Sequence, residues 1–350
     1  MRFEFLTSTP LSPTEGSGTF VALDGLARGL SGLGHAVVIR PLGPRTGFHT
    51  FDRWLYNARV VLTPPAADVT VGVDLDGFLW ARRRRGPFVV MLKGIIADEL
   101  RNERGWVRTL LSVQARWERS NTERADRVVV PSRYSASVAR DVYGIPDSKL
   151  AVVPEPIDLA DWRRRFAEAA GARAARPTVL SVARMYPRKR LDDLLRAAVI
   201  LRERIPDAQV RIVGEGPGSA GLRALHRELR LGDGVVLLGE VTRRTLAVEY
   251  VRAHCFCLPT VQEGFGLVFA EAMAAGLPVV ACRAAAVPEI VEDRRTGLLV
   301  NPQSPGELAA ALETLLMNEK LSEDLGREGA RRVEAFGLEP VAHRFLETLP

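Results

Sequence analysis

Short apolar runs recur along the first half of the chain, and longer amphipathic stretches separate them. One such stretch has apolar residues at helical spacing, at Val21, Leu23, Leu26 and Leu30. The apolar runs are too uniformly hydrophobic for strands with one face in water, which is typical of parallel strands covered on both faces. We therefore predict a doubly wound α/β sheet with strands at 2–6, 36–39, 69–73, 88–92, 128–130 and 151–153.

The same alternation continues through the second half and predicts a second doubly wound sheet. Its strands are expected to begin at residues 178, 209, 235, 255, 279 and 297. Between residues 159 and 177 the composition shifts to Ala and Arg, and we place the domain boundary in that region. The expected organisation is a first domain over 1–160, a second over 161–335, and an amphipathic terminal helix over 336–350.

The composition indicates the size of the protein and the compartment in which it is expected. With 350 residues, 47% hydrophobic and 26% charged, the chain is large enough for two soluble globular domains. No segment approaches the roughly 20 apolar residues of a membrane span. The first six residues turn polar too soon for a secretory signal, so we expect a cytoplasmic protein. Three cysteines without CxxC spacing indicate buried thiols and neither a disulfide framework nor a metal site.

The stretch PTVQEGFGLVFAEAMAAGLPVVA, at 259–281, carries the clearest chemistry. Gly264 and Gly266 predict a tight turn at a helix N-terminus, where backbone amides can approach a phosphate closely. We expect Glu271 about two turns into that helix, among small apolar residues. A carboxylate there needs hydrogen-bond donors, and paired sugar hydroxyls are suitable ones. Glu263, before the turn, is expected to line the same site.

The E-x7-E spacing of Glu263 and Glu271 resembles the signature of the retaining GT-B glycosyltransferases of family 4, also called group 1. Further matches follow in the family's order: SVARMYPRK at 181–189, IVGEGP at 212–217, VVLLGEV at 235–241 and VPEIVEDRRTGLLVNP at 287–302. They cover most of the second half. The first half matches in outline, through a glycine-bearing loop and the LGHAVVI stretch at 33–39.

This resemblance implies two Rossmann-like domains facing a central cleft, with the acceptor on the first and a nucleotide sugar on the second. It implies metal-independent, retaining transfer from a UDP-sugar or GDP-sugar to a glycan, glycolipid or small-molecule hydroxyl, as in polysaccharide biosynthesis. No cofactor is expected. A nucleotide-sugar 2-epimerase and a non-catalytic nucleotide-sugar-binding protein of the same fold are the alternatives.

The resemblance also assigns roles to residues. Arg184 and Lys189 resemble the cations that hold the diphosphate, in place of a metal. Glu263 would face the donor sugar, and Glu271 would bind the ribose hydroxyls. Arg190 stands where the family usually has Gly, which predicts a different local turn. The other expected donor-binding positions are Gly16, Gly18, Gly214, Gly239, Val241, Gly264, Phe265, Gly266 and Leu267.

Two glycine-rich stretches have competing interpretations. Gly16 and Gly18, in the loop 14–19, would place amides against a diphosphate or form a plain turn. The GEGPG stretch at 214–218 resembles a dinucleotide fingerprint, but Ser219 stands where the final glycine would be. A dehydrogenase is therefore disfavoured.

Polar residues follow two predicted strands of the first domain. Asp74 and Asp76 suggest either a DxD metal site or the acceptor side, and the metal-independent resemblance favours the acceptor side. Lys93, which is also expected on the acceptor side, stands where family members often have His, and this difference argues against a catalytic histidine there. Asp98 and Glu99 suit either substrate contact or the first turn of a helix.

The segment 82–124 holds 11 basic residues against 5 acidic ones. Trp106, Leu110, Val113 and Trp117 follow helical spacing within it, bordered by arginines. Two interpretations fit: a core stripe with a solvated basic face, or contact with an anionic partner, which is either lipid at the inner face of the membrane or an anionic acceptor. Nucleic acid is not expected as a partner, because no recognised binding motif accompanies the charge.

Overall fold

The computed structural model of the protein describes residues 1–10, 17–43, 46–100, 105–169, 171 and 173–350. The chain forms two compact units. Unit 1 comprises Met1–Ile157 and Phe336–Pro350, and unit 2 comprises Asp158–Ala335. The division falls slightly before residue 160, because the helix that begins at Leu159 packs within unit 2.

Unit 1 contains a parallel sheet of six strands in the order β2-β1-β3-β4-β5-β6. The central strands are buried on both faces, as their uniformly apolar sequences predict, whereas the edge strand β2 is partly exposed. The strands are β1 (Arg2–Leu6), β2 (Ala36–Arg40), β3 (Val69–Val73), β4 (Phe88–Met91), β5 (Arg127–Val130) and β6 (Leu150–Val152).

Helices connect these strands, and a helix from the end of the chain joins them. Phe345 of that terminal helix contacts the rings of Phe3 and Phe5, at 6.1 and 6.4 Å between centroids. A Cβ on Gly29 would lie 2.5 Å from the carbonyl oxygen of Leu338, so glycine permits this close approach. The helices of unit 1 are α1 (Ser17–Gly32), α2 (His49–Leu62), α3 (Ile96–Glu99), α4 (Gly105–Arg124), α5 (Arg133–Tyr143) and the terminal α14 (Leu338–Leu346).

Unit 2 contains a second parallel sheet of six strands, in the order β12-β11-β10-β7-β8-β9. The strands are β7 (Thr178–Val182), β8 (Gln209–Val213), β9 (Val235–Gly239), β10 (Cys255–Leu258), β11 (Val279–Cys282) and β12 (Gly297–Val300). The helices are α6 (Leu159–Glu168), α7 (Leu191–Arg204), α8 (Ser219–Glu228), α9 (Arg243–Arg252), α10 (Leu267–Ala274), α11 (Val287–Ile290), α12 (Pro305–Met317) and α13 (Glu319–Arg332).

The predicted pair of doubly wound parallel sheets is therefore confirmed. In each sheet the strand order reverses beside the strand that opens the unit, at β1/β3 in unit 1 and at β7/β10 in unit 2. Such switch points leave a crevice at the carboxyl ends of the strands, where ligands of this architecture bind. The three cysteines are buried free thiols, as expected. Within the described ranges, no helix is long and apolar enough to cross a membrane.

Candidate functional site

A buried ion pair lies at the switch point of unit 2. Lys189 follows β7, Glu263 follows β10, and the ammonium of Lys189 pairs with the Glu263 carboxylate. Their side chains are only 11% and 12% exposed. The carbonyl oxygen of Arg188 accepts the Val261 N–H at 3.0 Å, which ties the two loops together. The structure thus brings together two residues that lie 74 positions apart in the sequence.

Two arginines extend this pair into a cation cluster, which we define as Arg184, Arg188 and Lys189. The guanidinium carbons of Arg184 and Arg188 lie 5.8 and 5.0 Å from the centroid of the Tyr186 ring. Nη1 of Arg188 is buried and has no hydrogen-bond partner within the part of the chain that the structure describes. A buried guanidinium nitrogen without an acceptor is costly, and an anionic ligand would supply that acceptor.

The pKa of Lys189 depends on its burial and on two charged neighbours. Burial lowers the pKa of Lys189, the Glu263 carboxylate opposes that shift, and the Arg188 charge adds to it. Lys189, Arg188 and Glu263 comprise two cations and one carboxylate, so this group carries an excess of positive charge. A diphosphate would offset that excess.

Arg188 was not identified from the sequence. The only available signal was its position next to Lys189 in the same loop, and in a chain with 48 basic residues that signal is weak.

The glycine stretch 214–218 supports the loop that carries Arg184. A Cβ on Gly214 would lie 2.0 Å from the Ala183 carbonyl oxygen, and one on Gly216 would lie 2.8 Å from the Met185 nitrogen. Backbone hydrogen bonds from Ala183 to Val213 and from Met185 to the Glu215 carbonyl, both 3.0 Å, fix the loop on either side of Arg184. These glycines are therefore required by backbone packing.

Gly214, Gly239 and Val241 were expected to contact the donor, and the backbone fixes the positions of the two glycines. The Gly214 N–H donates to the Gly239 carbonyl at 2.8 Å, so this amide is already used within the fold. Gly239 has a φ of 68°, in the left-handed region, and Val241 follows it half-buried after β9. The contribution of Gly214 is thus to the shape of the loop.

The second glycine turn ends at the start of α10. Gly266 precedes the helix with a φ of 96°, and a Cβ there would lie 2.6 Å from the Phe269 ring. The helix begins at Leu267, directly after Gly264, Phe265 and Gly266. The expectation that Glu271 lies two turns into the helix is wrong. Because the turn extends to residue 266, Glu271 lies about one turn from the helix start.

Glu271 is partly exposed and receives a hydrogen bond from a residue that sequence reasoning missed. The Tyr250 hydroxyl donates to Glu271 Oε2 at 2.9 Å. Tyr250 is fully buried, and its ring packs edge-on against Trp162 and stacks on Phe256. Burial raises the pKa of Glu271 to about 7, although the Tyr250 hydrogen bond and the Arg243 charge oppose the shift. No local sequence pattern marks Tyr250, because its partner lies 21 residues away.

Arg190, where a different turn was expected, has a backbone conformation typical of glycine. Arg190 has a φ of 52° and a ψ of 36°, the left-handed conformation that glycine adopts most easily. Its guanidinium forms two hydrogen bonds to the Asp193 carboxylate, at 2.8 and 2.9 Å. An ion pair with Asp193 thus accompanies the left-handed conformation of this non-glycine residue.

The sequence predicted a glycine loop in unit 1 that contains Gly16 and Gly18. The structure describes Gly18 but not Gly16. Gly18 is the second residue of α1 and is exposed, so it belongs to a helix and not to a loop. Gly16 falls in the part of the chain that the structure does not describe.

A buried carboxylate that is satisfied by neighbouring residues lies at the switch point of unit 1. Asp76 is fully buried, and its carboxylate accepts hydrogen bonds from the Ser8 N–H at 2.6 Å and from Asn57 at 2.9 Å. Burial is the main cause of the raised pKa of Asp76. Within the ranges the structure covers, no group of three or more His, Cys, Asp or Glu residues could hold a metal ion.

The other expected acceptor-side residues surround a second buried ion pair. The Lys93 ammonium lies 2.5 Å from Glu155, with side chains 7% and 10% exposed. Asp74 accepts the Lys93 N–H at 2.8 Å, and burial raises the pKa of Asp74 to about 6. Asp98 is buried in the short helix α3, and Glu99 ends that helix.

Two family models match the chain. The model described as "Glycosyl transferases group 1" matches residues 163–332, and "Glycosyltransferase Family 4" matches residues 69–161. The first match covers β7 to β12, with both the cation cluster and Glu271.

Curated relatives agree with these matches. A GDP-mannose-dependent alpha-(1-6)-phosphatidylinositol monomannoside mannosyltransferase from Mycobacterium tuberculosis is 32% identical over 253 residues, which cover 69% of this chain and 65% of the relative. A D-inositol 3-phosphate glycosyltransferase from Kineococcus radiotolerans is 35% identical over 257 residues, which cover 66% of this chain and 58% of the relative. The chain therefore spans less than two thirds of the length of these relatives.

Solved structures show the same fold. Sucrose-phosphate synthase from Thermosynechococcus elongatus superposes with a TM-score of 0.80 at 21% identity, covering 99% of this chain and 97% of that one. Anabaena Alr3699/HepE, in complex with UDP and glucose, gives a TM-score of 0.76 at 20% identity, with 99% of each chain covered.

Proposed function

Because the chain belongs to the group 1 glycosyltransferases and has their GT-B fold, we propose that it transfers a sugar from a nucleoside-diphosphate sugar to an acceptor hydroxyl. Fold alone would not support an activity. The observation that carries the proposal is the buried, unpartnered Nη1 of Arg188 beside the Lys189–Glu263 pair. It leaves a requirement for an anion at the switch point, where ligands of this architecture bind.

The donor is proposed to bind along the carboxyl ends of β7 and β10. The cation cluster and the first amides of α10 would stabilise the negative charge that develops on the departing diphosphate. Glu271 would accept hydrogen bonds from the ribose hydroxyls, with Tyr250 holding its other oxygen. Glu263 lies beside Lys189, which suits it to the sugar end of the donor.

We propose that no essential metal takes part. Arg184, Arg188 and Lys189 would supply the positive charge that a divalent ion otherwise supplies. In unit 1 the Asp76 carboxylate is already occupied by Ser8 and Asn57, which leaves it poorly suited to a metal. Transfer should survive EDTA. Activity that chelation abolishes and Mg²⁺ or Mn²⁺ restores would refute this part of the proposal.

Retention of the anomeric configuration is also proposed, on the basis of the E-x7-E spacing of Glu263 and Glu271, which resembles the retaining members of the family. The test is the anomeric coupling constant in the proton spectrum of the first product formed from an α-linked donor. An α product supports retention, and a β product contradicts it.

The nucleobase and sugar are open to a direct screen. One relative is named for GDP-mannose, and a structural neighbour contains UDP and glucose, so GDP-mannose and UDP-glucose are the first donors to test. A bound donor raises the thermal stability of the native state in proportion to the logarithm of its concentration over its dissociation constant. Product analysis without acceptor distinguishes a glycosyltransferase from a nucleotide-sugar 2-epimerase, because only the epimerase would convert the donor into its epimer.

The acceptor is proposed to be a saccharide or a lipid-linked molecule that binds unit 1. Asp74, Lys93, Asp98 and Glu99 stay predictions for that side. Asp76 is less suited, because its carboxylate is buried among hydrogen-bond donors of unit 1. Transfer to a panel of glycans, inositol phosphates and glycolipids is the corresponding assay. A chain that binds donor but transfers to none of them and hydrolyses none would be a binding protein.

Finally, we propose cytoplasmic function with peripheral contact to anionic membrane through unit 1. The stripe predicted on α4 is divided: Trp106 is 74% exposed, whereas Trp117 stacks on Phe78 with 5.1 Å between ring centroids. The N-terminal part of α4 is therefore outward and its middle belongs to the core. Comparing recovery with neutral and anionic vesicles tests the contact.

A further inference from the structure

One helix of unit 1 carries a concentration of exposed apolar side chains. The exposed fraction is 75% for Phe48, 50% for Phe51, 41% for Trp54 and 81% for Leu62. Phe48 precedes α2 and the other three lie within it. At about 100° per residue, these positions fall within one third of the helix circumference. Apolar side chains clustered in this way on a soluble domain mark an interaction surface.

The opposite face of α2 is anchored in the interior of unit 1. The Tyr56 hydroxyl donates to the Arg40 carbonyl at 2.9 Å, and the Asn57 amide donates to Asp76 at 2.9 Å. Val60 is buried as well. The outward residues take no part in these contacts, so they can be replaced without disturbing the helix.

A pocket of about 280 Å³ lies beside this stripe. Ala58 and Val61 of α2 form one side, and Leu79, Arg82 and Arg83 form the other. Arg82 and Arg83 are exposed, and neither side chain has a hydrogen-bond or ion-pair partner among the residues with described structure. An apolar wall with two cations is complementary to a phosphate that carries apolar chains.

The next arginine in the sequence, Arg84, has a structural role that Arg82 and Arg83 lack. Arg84 donates two hydrogen bonds of 2.6 Å to the Asp126 carboxylate and one to the Gly86 carbonyl. Arg82 and Arg83 lack such partners, which is consistent with a ligand outside the chain.

Exposed apolar residues continue on the neighbouring helix. Gln114 of α4 contacts α2 through Arg53 at 2.9 Å and Thr50 at 2.8 Å. At the start of α4, Trp106 and Val107 are 74% and 52% exposed. The apolar surface of unit 1 is therefore not confined to a single side chain or turn.

We propose that the outward face of α2, Phe48, Phe51, Trp54 and Leu62, docks on a bilayer that contains anionic phospholipid, with a lipid phosphate in the Arg82–Arg83 pocket. This inference deepens the proposed membrane contact and identifies its surface, and it does not depend on the sugar chemistry. Side chains that are 75% and 81% exposed protrude, which suits insertion into a soft interface. The cations beside the stripe complement the negative surface of such a membrane.

The experiment is vesicle co-sedimentation with phosphatidylcholine alone and with added phosphatidylglycerol. Wild type should bind only the anionic vesicles and should be released by high salt. F51S/W54S should weaken binding at least about tenfold, because two inserted aromatic side chains are removed. R82S/R83S should weaken it by about fivefold for each cation lost.

The matched control is Met317→Ser. Met317 is 72% exposed at the end of α12 in unit 2, so it tests the loss of an exposed apolar residue away from α2. It should leave vesicle binding unchanged. Equal recovery of wild type on neutral and anionic vesicles, or no effect of either double variant, would overturn the proposal. A dimer in sedimentation velocity that F51S/W54S dissociates would identify a second copy as the occupant instead.

Nucleotide binding in solution separates this inference from the proposed function. F51S/W54S and R82S/R83S should bind GDP or UDP as wild type does, because the cation cluster lies in unit 2. If wild type binds anionic vesicles but no nucleotide, the docking surface stands and the transferase proposal fails.

Discussion

The two units have closely related sheets but opposite chemistry at their switch points. In unit 1 the position is filled by Asp76, whose carboxylate is satisfied by Ser8 and Asn57. In unit 2 the switch point holds the cation cluster, with a buried Arg188 nitrogen that no described residue satisfies. Topology provides a crevice in both units. The buried carboxylate of unit 1 is satisfied within the fold, whereas the buried Arg188 nitrogen of unit 2 has no acceptor among the described residues.

The largest effect is expected on sugar transfer when a cation at the switch point of unit 2 is removed. Changing Arg184 or Lys189 to Ala should lower kcat/KM for sugar transfer. The loss corresponds to about 2 to 4 kcal/mol of transition-state stabilisation, because charge stabilisation of the leaving diphosphate is lost in a partly desolvated site. Steady-state kinetics with the best donor of the screen measures it. If kcat/KM is unchanged in both variants, the cation cluster is not the diphosphate site.

Arg188 tests whether the unpartnered nitrogen binds the ligand. R188A should weaken binding of a nucleoside diphosphate by about 1.5 to 3 kcal/mol, the range for a hydrogen bond to a charged group. Calorimetry with the nucleoside monophosphate is the control, because it offers less charge and should lose less. An equal loss for both nucleotides would place Arg188 away from the second phosphate.

Tyr250 tests the positioning of Glu271. Y250F should weaken binding of a ribonucleoside diphosphate by roughly 0.5 to 1.5 kcal/mol, because Glu271 loses a hydrogen bond that orients it. Binding of the 2′-deoxyribonucleotide should change less. If both nucleotides lose the same affinity, Tyr250 acts on the fold and not on ribose recognition.

Glu271 also predicts a pH dependence. Its pKa is raised to about 7 in the folded protein, where Tyr250 and Arg243 are the groups that oppose the shift. A raised carboxyl pKa means that Glu271 favours folding when protonated, and this contribution is lost as pH rises from about 4.5 through about 7. Ribose binding should follow the opposite trend, since the carboxylate accepts two hydroxyl donors.

The measurement is nucleotide affinity between pH 6 and 8. The ratio of ribonucleotide to deoxyribonucleotide affinity should increase with pH in wild type, whereas E271Q should show a flat ratio. The deoxyribonucleotide cancels the titration of the phosphates themselves. A flat ratio in wild type would contradict the role of Glu271.

The smallest effect concerns Arg190, which keeps a glycine-like turn beside the cluster. R190G and R190A both lose the Asp193 ion pair, but only R190A keeps a side chain at a φ of 52°. The free energy of unfolding should therefore be about 0.5 to 1 kcal/mol higher for R190G than for R190A. Urea denaturation measures the difference. Equal stabilities would mean that the turn relaxes on substitution.

Sequence patterns predicted the sheets because strands buried on both faces are continuous apolar runs, as in β3 and β10. The family resemblance also pointed to Lys189, Glu263 and Glu271, and the structure pairs Lys189 with Glu263. The sequence interpretation placed Glu271 one turn too deep, because the length of the glycine turn before α10 depends on the left-handed conformation of Gly266. A side chain at residue 266 would also clash with the Phe269 ring, which the motif alone does not show.

Partners distant in sequence were not predictable in the same way. Glu155 pairs with Lys93 across 62 residues, and Tyr250 reaches Glu271 from a different helix. Neither residue belongs to a periodic or motif pattern. The outward stripe on α2 was likewise missed, because aromatic residues at helical spacing are ordinarily core residues, and only the buried Tyr56 and Asn57 show which face is inward.

The central claim is that unit 2, and not unit 1, binds the diphosphate through its buried ion pair. The chain provides a matched comparison, since Lys93–Glu155 and Lys189–Glu263 are both buried Lys–Glu pairs, one in each unit. The decisive measurement is calorimetric titration of GDP and UDP into wild type, K93A and K189A. We predict saturable binding of one nucleotide by wild type and K93A and its loss in K189A. Equal affinity in K93A and K189A, or loss in K93A alone, would contradict this account.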